Sequence, residues 1–162
     1  MGRRPTKAAD NPFCKARLEA AKYNDRLYSK EGAAELLGLH VSTLSDYELD
    51  ITKVVPVDKV LLMADLYNAP ELKNHYCREV CPLGYDVPKV ELDDLDRITL
   101  RALAIFRNFG ETKDLLLDIT ADGVITKDEK PILEKILQNL SGLESVIQSF
   151  RIWVQKNMEM DL

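Results

Sequence analysis

Three groups of residues in this chain have types and spacings suited to chemistry. In the first, Asp118-x-Thr120-x-Asp122-Gly123-x-Ile125-x-x-x-Glu129 sets oxygen ligands at the intervals of a calcium-binding loop, with glycine at the sharp turn and a closing Glu able to bind through both oxygens. Thr at the third position removes a carboxylate, the loop has no second copy to pair with, and Pro131 follows just inside the next helix. The same residues suit a helix–helix turn in which Gly123 takes positive φ and Thr126 with Glu129 forms a capping box. That turn is the reading we adopt, with calcium responsiveness of 118–129 as a minor alternative. The second group, His75, Cys77 and Cys81, offers metal-ligand atoms. Cys77 and Cys81 are one helical turn apart, but His75 is rotated about 200° from Cys77, so a single helix cannot aim all three inward. A closed zinc site needs a fourth ligand, and only Cys14 and His40 remain of those residue types. The thiols are expected to pack as small buried hydrophobes. No metal or cofactor is assigned, and no catalytic signature emerges: the chain lacks a phosphate-binding glycine loop, a His–Glu zinc motif and a nucleophile elbow. It reads as a non-enzyme.

The third group, within 30–47, carries the chemistry of base edges and phosphates: Lys30, His40, Val41, Ser42, Thr43, Ser45 and Asp46. Presenting them requires two short helices meeting at a steep angle, with a small residue at the contact and a turn residue free to take positive φ. Ala34 supplies the contact and Gly38 the turn. Ala33, Leu37, Leu39, Leu44 and Tyr47 then fall inward, leaving Ser42, Thr43, Ser45 and Asp46 largely outward. Around this pair, Asn11-Pro12 signals the start of a first helix running to about Tyr23, Ser29 caps the second helix, Pro56 precedes a fourth and Pro70 opens a fifth.

The segment Ser29-Lys-Glu-Gly-Ala-Ala-Glu-Leu-Leu-Gly-Leu-His-Val-Ser-Thr-Leu-Ser-Asp-Tyr-Glu48 resembles the lambda-repressor-like, Cro-type (XRE) helix-turn-helix family, and the resemblance covers about residues 12–68. It implies a five-helix domain that binds double-stranded operator DNA as a homodimer, with the second short helix in the major groove. By position, Val41, Ser42 and Asp46 would face base edges, and Thr43 with Lys30 would approach phosphates. His40 stands at the cap position usually held by Ser or Thr, and Lys30 where Gln is common. The recognition helix offers no Arg, Lys, Asn or Gln for bidentate base contacts, so reading would rely on hydroxyls, Val41 methyls against thymine, an Asp46 acceptor for cytosine, and DNA shape. Glu48 reads as a structural hydrogen-bonding residue. The remainder, through Cys77-x-x-x-Cys81-Pro-Leu-Gly and Ala121-Asp-Gly-Val-Ile, resembles an acidic helical extension of such regulators from Gram-positive bacteria and their phages; the function expected of the whole chain is that of a sequence-specific DNA-binding transcriptional regulator, a repressor.

Pro82, Gly84 and Pro88 mark 82–90 as a linker. Beyond it, Leu95, Ile98, Ala102, Ile105, Phe109, Leu116 and Ile119 follow alternating three- and four-residue steps with Thr112 in the one polar slot, as do Leu133, Ile136, Leu140, Leu143, Ile147, Phe150 and Val154 without a gap. The expected fold is therefore all-α: a basic arm (1–10), a DNA-binding domain (11–81), the linker, a long antiparallel helical hairpin (91–157) and a tail (158–162). The hairpin's apolar stripe is wider than one partner helix can cover, so it is expected to dimerise or to dock another protein. A helix-turn-helix module that docks proteins and does not bind DNA is the rival reading.

Charge and composition set the outer bounds. Of 162 residues, 46% are apolar and 30% charged, which excludes wholesale disorder. The net charge of −5 is unevenly placed: 1–76 hold eleven basic and eleven acidic residues, 77–162 eleven and sixteen. Eight basic side chains (Arg3, Arg4, Lys7, Lys15, Arg17, Lys22, Arg26, Lys30) lie in the first thirty residues, where any phosphate-facing surface belongs. Apolar runs are too short to span a bilayer, Arg3-Arg4 precedes no signal-peptide core, and three cysteines suit a reducing cytoplasm.

Overall fold

A computed structural model describes residues 10–90 and 92–158; among them are seven α-helices, one short 3-10 helix and no strand. The chain divides into two compact units, Met1–Val87 and Pro88–Leu162. The first holds α1 (Pro12–Ala20), the 3-10 helix (Asp25–Tyr28), α2 (Lys30–Leu37), α3 (Val41–Glu48), α4 (Val57–Leu66) and α5 (Glu71–Glu79); the second holds α6 (Leu95–Ile119) and α7 (Lys130–Met158). Among the described residues no helix is long and apolar enough to cross a membrane. The basic arm's Arg3, Arg4 and Lys7 lie outside the described residues, as do 159–162.

Local chemistry explains where the helices of the first unit begin and end. The Asn11 carboxamide accepts from the Cys14 backbone N–H at 3.0 Å, and Pro12 fills the first position, where its missing N–H costs nothing. Ser29 Oγ accepts from the Gly32 N–H at 3.0 Å to start α2, and Gly38, at φ 61°, ends it. The first helix stops at Ala20, short of the expected Tyr23, whose ring is exposed. After three turn residues, Asn24 caps the 3-10 helix, which turns Leu27 into the core beside α2. Helices of eight and nine residues are marginal alone. Their stability comes from the shared core of Phe13, Leu27, Ala33, Leu44, Val60, Met63 and Leu72. Residues 82–87, expected as linker, fold back on α5: Gly84 N–H donates to the Cys81 carbonyl, and Arg78 reaches the Val87 carbonyl at 3.1 Å.

In the second unit α6 and α7 run antiparallel, since Lys135 meets Glu111, Asn139 meets Thr112 and Gly142 meets Ile105. Ser141-Gly142 causes no break in α7, which extends through Met158, into the expected tail. The seam on α7 differs from the expected one. Of the expected row Ile136 is buried, but Leu140, Ile147 and Phe150 stay exposed, and Val146, Ser149 and Ile152 are buried in their place. The helix presents the row one residue earlier, Asn139, Gly142, Val146 and Ser149, to α6. Small residues there allow close approach, and the polar ones are satisfied: Asn139 Nδ2 donates to Thr112 Oγ1 at 2.7 Å, and Ser149 Oγ donates to the Ser145 carbonyl.

The turn between these helices is built as a turn. Gly123 has φ 74°, Asp122 Oδ1 accepts from the Val124 N–H at 3.0 Å, and Glu129 Oε2 accepts from both the Thr126 N–H (2.7 Å) and its hydroxyl (2.8 Å). Glu129 thus serves as one half of a capping box; the Thr126 hydroxyl donates to Glu129 and leaves the other half unmade.

Candidate nucleic-acid interface

The α2–Gly38–α3 segment is held from behind by buried charge. Glu48, the last residue of α3, is fully buried and takes Arg17 of α1 in a two-pronged ion pair, Nε to Oε1 at 2.6 Å and Nη2 to Oε2 at 2.9 Å. Arg17 Nη1 donates in addition to the carbonyls of Leu27 (2.8 Å) and Tyr28 (3.2 Å). One guanidinium therefore ties α1, the 3-10 helix and α3 together. Arg17, one of the basic residues expected on a phosphate-facing surface, is instead a core residue at 4% exposure, with Glu48 as its partner. Asn11 adds a second tie, donating to the Tyr47 carbonyl at 2.9 Å and to Asp50 Oδ1 at 2.8 Å.

Above this anchor the site residues divide by exposure. Ser42 is exposed and Asp46 half-buried on the side of α3 opposite Leu44 and Glu48, with the half-buried Thr43 and Ser45 on its flanks; Val41, expected to face base edges, instead packs against the core, because it stands three and seven residues before Leu44 and Glu48 on the same helix face. His40 caps α3 with its own ring: Nδ1 accepts from the Ser42 N–H at 3.3 Å and lies 2.8 Å from Ser42 Oγ. The cap needs a neutral ring protonated on Nε2. Lys30, expected at a phosphate, donates to Ser45 Oγ at 2.8 Å and stands 3.7 Å from Glu48 Oε2. It brings the start of α2 onto α3 and leaves two of its three N–H bonds for other acceptors.

The remaining described cations of the first thirty residues are paired: Lys15 with Asp10, Lys22 with Glu19, and Arg26 with Glu35. These pairs are exposed and worth little individually. They reduce the net positive field that a count of basic residues suggests.

Burial near the ion pair raises two other groups. The Cys14 thiol and the Tyr67 phenol are both pushed up, first by desolvation and then by the Glu48 carboxylate. Among the described residues the buried Tyr67 hydroxyl finds no hydrogen-bond partner. Tyr67→Phe is therefore expected to leave stability unchanged or raise it by up to about 1 kcal/mol, since the orphaned hydroxyl carries a desolvation cost. A raised folded-state pKa means that the unfolded chain loses these protons first. Stability is full below about pH 8.5, the ordinary thiol value, and declines as pH rises beyond it. Urea midpoints at pH 8 and pH 10 check both points: the wild type should lose more than Tyr67→Phe.

The second group of ligand-type residues is dispersed. His75 packs edge-on against Phe13 with ring centroids 6.3 Å apart, Cys14 is buried, and Cys81 is half-buried. Cys77 is exposed, against the expectation of burial, because the α5 face that carries it points away from the core. Among the described residues no three His, Cys, Asp or Glu side chains converge to hold a metal ion.

Comparison of the chain with family models, with characterised proteins and with solved structures yields no match.

Proposed function

We propose that the chain is a sequence-specific DNA-binding transcriptional regulator, a repressor, in which 11–81 form a lambda-repressor-like domain and 91–157 hold two copies together on double-stranded DNA. The observation that carries this reading is α3 itself: its buried side is locked by Arg17, Asn11 and the core, while its other side offers Ser42, Thr43 and Asp46 at the end of a two-helix turn. A rigid helix with short polar side chains fits the major groove closely. Ser42 serves as donor or acceptor, and Asp46 accepts from cytosine N4. Thr43 and Lys30 face the flanking phosphates. Short hydroxyls make individually weak contacts, so two recognition helices about one DNA turn apart, ~34 Å, are needed for useful affinity.

Selection from genomic fragments at two salt concentrations tests this. The expected result is an enriched palindrome whose affinity falls steeply with salt. Ser42→Ala and Asp46→Asn should change which sequences are enriched, whereas Thr43→Val and Lys30→Met should weaken binding to all of them alike. Recovery of no sequence at either salt would leave the protein-docking module as the better account.

A further inference from the structure

The exposed surface of α6 and α7 is sorted by side. In an antiparallel pair of right-handed helices, residues one position after each seam residue turn toward the same broad face on both helices, and residues one position before turn toward the other. One position after the seam stand Thr99, Leu103, Phe106 and Lys113 on α6 and Leu137, Leu140, Ile147 and Phe150 on α7; the six large apolar side chains among them are 39–58% exposed. One position before stand Arg97, Arg101, Gln138, Ser141, Ser145 and Gln148. The polar side carries the start of its own unit: Arg101 holds Asp93 at 3.0 Å, and Ser145 Oγ donates to the Lys89 carbonyl at 2.9 Å.

We infer that the apolar side is the surface through which a second copy of this chain packs, closing a four-helix bundle. This deepens the dimer reading above and rests on it. Six half-exposed large side chains present on the order of 500 Å² of apolar surface. That matches the roughly 65% apolar share of the ~800 Å² that each partner gives to a stable homodimer interface. Charges beside the face are of both signs, Lys113 and Arg151 with Glu134 and Glu144, so it suits neither a polyanion nor a strongly basic partner. A copy turned about a two-fold axis meets both signs with both. The phase of the seam agrees: beside the buried Ile136, α7 gives Asn139, Gly142 and Val146 to α6 and leaves Leu140, Ile147 and Phe150 for the other contact.

The test is the mass of the full chain in solution without DNA, by light scattering and sedimentation at micromolar concentration. The wild type is expected at twice the chain mass. Leu140→Glu, and separately Phe106→Ser, which removes the ring without adding charge, should each weaken association roughly 100-fold. Both should keep their helical circular dichroism, while Gln138→Glu on the polar side stays dimeric. A wild type at the single-chain mass overturns the inference, as does a dimer untouched by both apolar-side variants or broken equally by Gln138→Glu. The two readings fail separately: a dimer that selects no DNA sinks the regulator, and a monomer that selects DNA sinks this interface.

Discussion

Glu48→Ala should cost the first unit about 3–5 kcal/mol, because it strands the Arg17 guanidinium in a site it reaches only with a counter-charge. Domains of this size hold about 5–15 kcal/mol, so the variant stands near unfolding at room temperature. A companion substitution separates the loss of an attraction from the stranding of a charge. Arg17→Met with Glu48→Leu removes both charges, and a buried ion pair exchanged for apolar groups of similar size is often neutral. Here the recovery should be partial, because Arg17 also serves the Leu27 and Tyr28 carbonyls, and each buried carbonyl left bare costs about 1–3 kcal/mol. Trp153, the single tryptophan, lies in the second unit and gives an internal control. In urea the far-ultraviolet circular dichroism should show an early transition for Glu48→Ala, while the tryptophan transition stays in place. A double variant less stable than Glu48→Ala would refute the stranded-charge account.

Gly32→Ala is the second large effect. A methyl group on Gly32 would run into the backbone carbonyl oxygen of Arg26, at the point where α2 crosses the 3-10 helix. Backbone cannot yield as a flexible side chain can, so the loss should reach the upper part of the ~1–3 kcal/mol range for overpacking. Gly38 supplies the contrast. It has φ 61° and open space around a would-be Cβ, so Gly38→Ala meets conformational strain alone, about 1 kcal/mol. The ordering is the prediction: in chemical denaturation Gly32→Ala loses more than Gly38→Ala, and the reverse order would show that α2 can shift away from the 3-10 helix at little cost. The same shift would carry Lys30 off Ser45, so any DNA affinity should fall along with stability in Gly32→Ala.

Much of the fold was legible because the signals were local. Asn11 before Pro12, Ser29 three residues before Gly32, and Gly38 at positive φ each act within one helical turn, and the structure places each where its chemistry suggests. Legibility ended where partners are distant. Glu48 could be suspected of a structural role, but its partner lies 31 residues earlier, and nothing within the first helix distinguishes Arg17 from the cations around it. Leu27 and its 3-10 turn were missed because four residues are too few to show a period. Gly32 looked like an ordinary helix residue, and only the backbone crossing it reveals why a side chain is excluded. On α7 two rows one residue apart both repeat at the right interval, and the more apolar row was the natural choice for the seam. The contact keeps Ile136 of that row and otherwise goes to the neighbouring one, whose small residues approach closely.

At the candidate site the exposure of Ser42 followed from the helix pattern, whereas the coupling of Lys30 to Ser45 and of His40 to Ser42 did not. Both are contacts between side chains, set by how two helices cross. They mean that the Ser42 and Ser45 hydroxyls are already oriented by their neighbours in the chain alone, whichever ligand they meet. Such orientation lowers the entropy lost on forming a contact.

The Thr112–Asn139 hydrogen bond bears on how the long helices find their alignment. Apolar seams tolerate slippage, since one aliphatic layer substitutes for another a turn away. Displacing α7 by a turn would set the Asn139 amide against hydrocarbon and leave the Thr112 hydroxyl with only its bond to the Asn108 carbonyl. One amide thus acts as an indexing pin that makes every other alignment of the pair an error with an energetic cost.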